Sequence, residues 1–153
     1  MVRSSLIVLI IALYNFAFAG SLENCLEPAL KMAHRLNRLE SIQTCFEQNK
    51  TKMVSESCFS TIAKIQTHDK SIELTERLNS LCFYEVSQFK TIKNCLDKTN
   101  LFKITMNHDE GVFECYRQFQ STLNQKQCLA VSMQLKYPAK KEYLENHCKT
   151  NIE

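Results

Sequence analysis

Val112–Leu123 reads VFECYRQFQSTL. Val112, Cys115, Tyr116, Phe119 and Leu123 form a stripe in steps of three and four. That period is the signature of one face of an α-helix, because a strand would alternate in steps of two. The cysteine sits on the apolar stripe, so its sulfur faces the same interior as its neighbours. The pattern recurs along the chain. Leu22, Cys25, Leu26, Ala29, Leu30 and Ala33 form one stripe, and Leu39, Ile42, Cys45 and Phe46 a second. Val54, Cys58, Ile62 and Ile65 give a third, and Leu74, Leu78, Leu81 and Cys82 a fourth.

Composition agrees with the period. The whole chain has two glycines and two prolines, whereas an all-β domain asks for many tight turns built from such residues. The expected fold is therefore all-α, a disulfide-stapled array of antiparallel helices with about five to eight helical segments. Turns are expected at Asn49-Lys50-Thr51 and Asn124-Gln125-Lys126. Asn107 with Glu110 resembles a capping box ahead of a helix at Val112. Pro138 suits the first turn of the last helix. Between Cys82 and Cys95 no break is evident, since Val86, Phe89 and Ile92 continue the helical period. As a single helix that segment would hold Cys82 and Cys95 about 20 Å apart, too far to bond each other.

The first nineteen residues read as an export signal. Arg3 precedes an unbroken apolar run from Leu6 to Tyr14, and Ala17-Phe18-Ala19 places small residues where a signal peptidase reads. The run is too short to span a membrane, which takes about 20 apolar residues. Cleavage after Ala19 would leave residues 20–153 as a single disulfide-bonded helical domain, secreted and extracellular. The net charge of +3 falls by one when Arg3 leaves. Such a balance carries no footprint for nucleic acid. Lys136, Lys140 and Lys141 read as a solvated face.

All eight cysteines lie beyond the leader: Cys25, Cys45, Cys58, Cys82, Cys95, Cys115, Cys128 and Cys148. An even number in an exported chain reads as four disulfides. Zinc is excluded by spacing, because its ligands come in close pairs and the nearest cysteines here are 13 positions apart. Successive separations are 20, 13, 24, 13, 20, 13 and 20, and every cysteine except Cys148 is followed by an apolar residue. This is a repeat of spacing, in units long enough for a helix pair. Sequence alone leaves the connectivity open. In an antiparallel hairpin, residues equidistant from the turn lie level. On that ground the preferred pairs are Cys25–Cys45, Cys58–Cys82, Cys95–Cys115 and Cys128–Cys148. Pro138 marks the midpoint of the last pair, and Thr67-His68-Asp69-Lys70 lies near the midpoint of the second.

Catalytic constellations are weak. His108-Asp109 invites comparison with secreted phospholipases, but those need a cysteine just before the pair and a glycine-rich calcium loop. His108 is expected in a turn, and Asp109 in a helix first turn where negative charge is favoured. His147 adjoins Cys148, but a bridged cysteine is no nucleophile. His34 and His68 stand alone. Glu110 with Glu114, and Glu142 with Glu145, read as carboxylates on solvated faces. No catalytic residue, cofactor site or metal site is expected, and the chain is not read as an enzyme. Asn49-Lys50-Thr51 is the one glycosylation sequon, expected in an exposed turn.

Cys58-Phe59-Ser60-Thr61-Ile62, the pair Cys82 and Cys95 followed by Leu96-Asp97-Lys98, and the final Cys128 to Cys148 region resemble a nematode-type family. Its members carry a secreted cysteine-rich helical domain of unknown function, typically with more cysteines than this chain has. The resemblance implies an extracellular module and no activity. The expected function is therefore a secreted binding or interaction module, with an unknown extracellular protein as partner. The alternative is a carrier of a lipid or apolar small molecule, with Phe83, Tyr84, Phe89, Phe102, Phe113 and Phe119 lining a cavity between helices. A secreted hydrolase stands third.

Overall fold

The computed structural model describes residues 22–151. The expected leader, residues 1–19, lies outside them. Among the described residues eight α-helices follow one another: α1 Leu22–Leu30, α2 Arg35–Asn49, α3 Ser55–His68, α4 Ile72–Leu81, α5 Ile92–Thr99, α6 Thr105–Phe119, α7 Gln125–Ser132 and α8 Pro138–Asn151. There is no strand among the described residues. The chain divides into two compact units, Met1–Lys52 and Met53–Glu153.

Both units are built from the same element, a helical hairpin closed by one disulfide. The bridges are Cys25–Cys45, Cys58–Cys82, Cys95–Cys115 and Cys128–Cys148, with Cα–Cα distances of 5.7, 5.7, 5.6 and 5.7 Å. They are the pairs that level placement in a hairpin favours. In every hairpin the first helix begins three residues before its cysteine, and the second begins ten residues before its own. The spacing repeat is therefore a structural repeat. The second hairpin differs by one insertion. Its cysteines are 24 apart where the others are 20 apart. Its first helix, α3, has 14 residues against 9 in α1 and 8 in both α5 and α7. The extra residues extend a helix and leave the register of its partner unchanged.

In the first unit α1 buries Leu26 and Ala29, while α2 buries Ile42, Cys45 and Phe46. Asn49 ends α2, and Lys50–Lys52 continue as a short 3-10 turn. In the second unit the stripes of α4 and α6 turn inward as expected. Leu74, Leu78, Leu81, Val112, Cys115 and Tyr116 are all buried. Leu123, Val131, Leu135 and Leu144 close the core of the last two hairpins. Gly111 lets α6 approach α5, because a Cβ there would stand 3.1 Å from Thr99 Cγ2 and 3.3 Å from Phe102 Cε2.

Helix starts follow capping chemistry. Ser71, Thr91 and Asn124 accept the N–H groups of Leu74, Asn94 and Gln127, and Gln127 returns a bond from Asn124 N–H. Pro138 is the first residue of α8. Two expectations are corrected. Cys82–Cys95 is not one helix. After Leu81 the chain widens into a π-turn over Cys82–Val86, where Ser87 N–H and the Ser87 hydroxyl both donate to Cys82 O, at 2.9 and 2.6 Å. Helix resumes only after the Thr91 cap. Asn107 does not cap a helix at Val112 either, because α6 already begins at Thr105.

Cys148→Ser should cost about 2–5 kcal/mol, the range for a native bridge in a small secreted domain. Leu144 and Cys148 lie on one buried face, so the lost bridge loosens core packing as well. Guanidinium unfolding measures the loss, and alkylation of Cys128 confirms that the freed thiol is its former partner.

Candidate functional site

The chemistry-bearing residues lie in the second unit and fall into two groups, one buried and one open.

The buried group begins with Asp109. It lies in the second turn of α6 and is completely inaccessible, with His108 beside it also buried. His108 was expected in a turn and Asp109 in a helix first turn. Both instead face inward, because α6 starts earlier than local pattern suggests. The Asp109 carboxylate accepts Lys136 N–H at 3.0 Å, Tyr137 N–H at 2.9 Å and a contact to His108 Nδ1 at 2.9 Å. Burial pushes this carboxyl up. The bonds from Lys136 N–H, His108 and Tyr137 N–H outweigh that and hold it below the usual aspartate range. The negative charge also lies at the N-terminal end of α8, where the helix dipole favours it. A histidine–carboxylate pair so enclosed presents nothing to a substrate.

Glu76 does the same work one hairpin earlier. It is buried in α4 and accepts Lys103 N–H and Asn107 Nδ2 (2.6 Å). Glu76 and Asp109 both lie six residues before the second cysteine of their hairpin. Lys103 and Lys136 both lie twelve residues before theirs. Each carboxylate thus fastens the loop of the next hairpin to the one before. The helices that follow, α6 and α8, are preceded by Ile104 and Tyr137, neither a residue type that caps well. Their starts are stabilised by a carboxylate from the neighbouring hairpin. Asn79 Nδ2 adds a bond to Leu101 O at 3.0 Å. In the fourth hairpin the corresponding residue is Glu142, which is exposed.

The open group lies between α6 and α8, in a groove of about 600 Å³. Tyr143 stands exposed beside Phe113, with ring centroids 6.3 Å apart. Tyr116 and His147 meet edge to face behind them at 5.8 Å. Burial and the nearby Tyr143 push the Tyr116 hydroxyl above the usual tyrosine range. Lys140 pairs with Glu110 across the groove and lies 5.9 Å from the Phe113 ring centre. Arg117 pairs with Glu114, which this guanidinium holds below the usual glutamate range. A second groove, of about 690 Å³, runs between the start of α3, residues 86–90 and α5. There Lys98 Nζ lies 4.9 Å above the Phe59 ring.

The remaining sequence candidates scatter. Phe83 packs against Phe89 at 5.0 Å and Phe102 at 5.6 Å, ring on ring. Tyr84 is exposed, Phe113 opens onto the α6–α8 groove, and Phe119 packs on the core of the last hairpins. The six rings are not gathered around one space. His34 and His68 are exposed. Asn49 is not in an exposed turn. It is buried, and its Nδ2 donates to Cys45 O at 2.8 Å. No group of three metal-ligating side chains occurs among the described residues, and no helix there is long and apolar enough to cross a membrane. Four closed bridges fit an extracellular or secreted protein. No family model, curated protein or solved structure matches the chain.

Asp109→Ala should destabilise by about 3 kcal/mol, because it leaves two loop N–H groups and His108 without their acceptor. A pH series of unfolding midpoints tests the charge. A carboxyl depressed in the fold contributes stability above its unfolded value, near 4. That contribution is lost as pH falls through the lower folded value. The difference between wild type and Asp109→Asn should therefore shrink in that acidic window and stay constant above it.

Proposed function

We propose that this chain is a secreted extracellular binding module that takes a protein partner at the α6–α8 groove. The supporting observation is Tyr143. It is 66% exposed, backed by Phe113, and has no share in the core. An exposed aromatic anchor rimmed by ion pairs is the usual make-up of a protein-binding hot spot. An open groove with the other rings packed on one another favours this reading over a carrier of an apolar molecule. The rigid hairpins supply a scaffold whose surface is already in its binding form, which lowers the entropy lost on association.

Export through residues 1–19, cleavage after Ala19 and a glycan on Asn49 belong to the same proposal, as does membership of the nematode-type cysteine-rich family. Because Asn49 is buried in the fold, a glycan there has to be attached before α2 packs. Intact mass of protein recovered from culture medium, before and after enzymatic deglycosylation, tests cleavage and glycan together.

For the groove, wild-type and Tyr143→Ala chains are immobilised and exposed to the same extracellular fluid. Partners held by the groove should be retained by wild type and lost from Tyr143→Ala, with affinity lowered by about 2 kcal/mol or more. Equal retention by both chains would sink the assignment of this groove.

A further inference from the structure

Most of the large exposed apolar side chains of the second unit lie at one kind of place. Ile72, Leu101, Ile104, Met106, Met133 and Tyr137 all stand in or beside the loops joining the two helices of a hairpin. Ile72 is 60% exposed, Met106 58% and Met133 68%. Beside them, twelve residues before the second cysteine of the second, third and fourth hairpins, come Lys70, Lys103 and Lys136. All three are exposed, and none has an ion-pair partner among the described residues.

The buried carboxylates draw these loops together. Glu76, four residues into α4, binds the loop of the third hairpin, and Asp109, four residues into α6, binds the loop of the fourth. Four residues of helix rise only about 6 Å. The three tips therefore lie at one end of the unit, each stepped by about a turn from the last. The third and fourth tips carry basic charge and no acidic residue of their own. No acidic residue occurs between Asp97 and Asp109 or between Glu114 and Glu142. The acids nearest the second hairpin's tip are engaged, since Asp69 is buried and accepts Ser71 N–H, while Glu73 pairs with Arg77. Neither groove is lined by a tip residue. The tips thus offer side chains that insert into a partner.

We propose that the tips of the second, third and fourth hairpins form a docking edge for an anionic lipid surface. Apolar side chains spread over three loops enter the headgroup layer, and a lysine beside each set reaches the phosphates. One such contact is weak, and stable attachment takes apolar burial together with several basic contacts. The carboxylates position this edge without touching lipid, because they hold three separate loops at fixed offsets along one end of the unit.

The test uses the full oxidised chain in flotation with vesicles of phosphatidylcholine, alone or mixed with phosphatidylserine. Binding to the mixed vesicles, weakened by salt, is expected, with little binding to phosphatidylcholine alone. The double variant Lys103→Glu/Lys136→Glu should lose roughly tenfold or more in affinity. Met106→Asp/Met133→Asp should lose binding at every salt concentration. Tyr143→Ala, which alters the α6–α8 groove alone, should bind vesicles as wild type does, so the two readings fail separately. The chain contains no tryptophan, which supplies a readout independent of affinity. Met133→Trp should shift its fluorescence to the blue on mixed vesicles, and Tyr143→Trp should not. Equal binding to both vesicle types, no binding to either, an unshifted Met133→Trp, or capture by immobilised polyglutamate without vesicle binding would each overturn the proposal.

Discussion

No disulfide of this protein joins one hairpin to another, so the second unit depends on two buried carboxylates and on apolar packing to hold three covalently closed pieces together. Glu76 and Asp109 occupy the same position in successive hairpins and grip the same backbone position in the next. The arrangement works because a helix start leaves N–H groups without partners. Local side chains ordinarily satisfy them, as Ser71, Thr91 and Asn124 do elsewhere. Where Tyr137 stands instead, Asp109 of the neighbouring hairpin accepts its N–H, and beside Ile104 Glu76 holds the preceding Lys103 N–H and the Asn107 side chain. A buried carboxyl group would be expensive alone, but here each oxygen is bonded, and at Asp109 the dipole of the following helix has the right sign.

That arrangement also explains what could be read from sequence and what could not. The stripes of Ile42, Cys45 and Phe46 and of Val112, Cys115 and Tyr116 are short-range patterns, and they pointed inward as read. Pro138 is a local signal too, since its ring prefers a first helical turn. The bridges followed from level placement once hairpins were assumed. The start of α6 was misjudged for the opposite reason. Its stabilising group, Glu76, lies 31 residues before Asn107, and no window on the sequence contains both. The same displacement accounts for the expectation of His108 in a turn and Asp109 in a helix first turn. The break after Cys82 did have a local signal, in Ser87 and in the Thr91 cap, but the apolar period through Phe89 and Ile92 masked it. Asn49 obeys its sequon and is nonetheless buried, because the sequon says nothing about the turn of helix it ends.

The surface features are legible only through the repeat. Lys70, Lys103 and Lys136 lie 33 residues apart in the linear chain, and nothing in composition sets them apart from other lysines. Numbered from the second cysteine of each hairpin, they coincide. Of the exposed apolar residues around them, Ile104 and Tyr137 also coincide, each eleven residues before its cysteine. The grooves, by contrast, follow no such frame. The α6–α8 groove lies between two neighbouring hairpins and carries aromatic rings that the other hairpins do not repeat.

Each bridge closes within 20 or 24 residues, and the four follow one another without overlap. For a chain threading into an oxidising compartment from its N-terminal side, every second cysteine arrives while its partner is the nearest unpaired thiol. Oxidation can then proceed strictly in order, one hairpin sealed before the next pair emerges. Nested or interleaved bridges would need an isomerase to sort early mispairings, whereas this serial layout makes the first encounter the native one. The contacts formed at each step are close in sequence, which keeps the search short. The carboxylates come into play last, when a following loop meets a hairpin already closed.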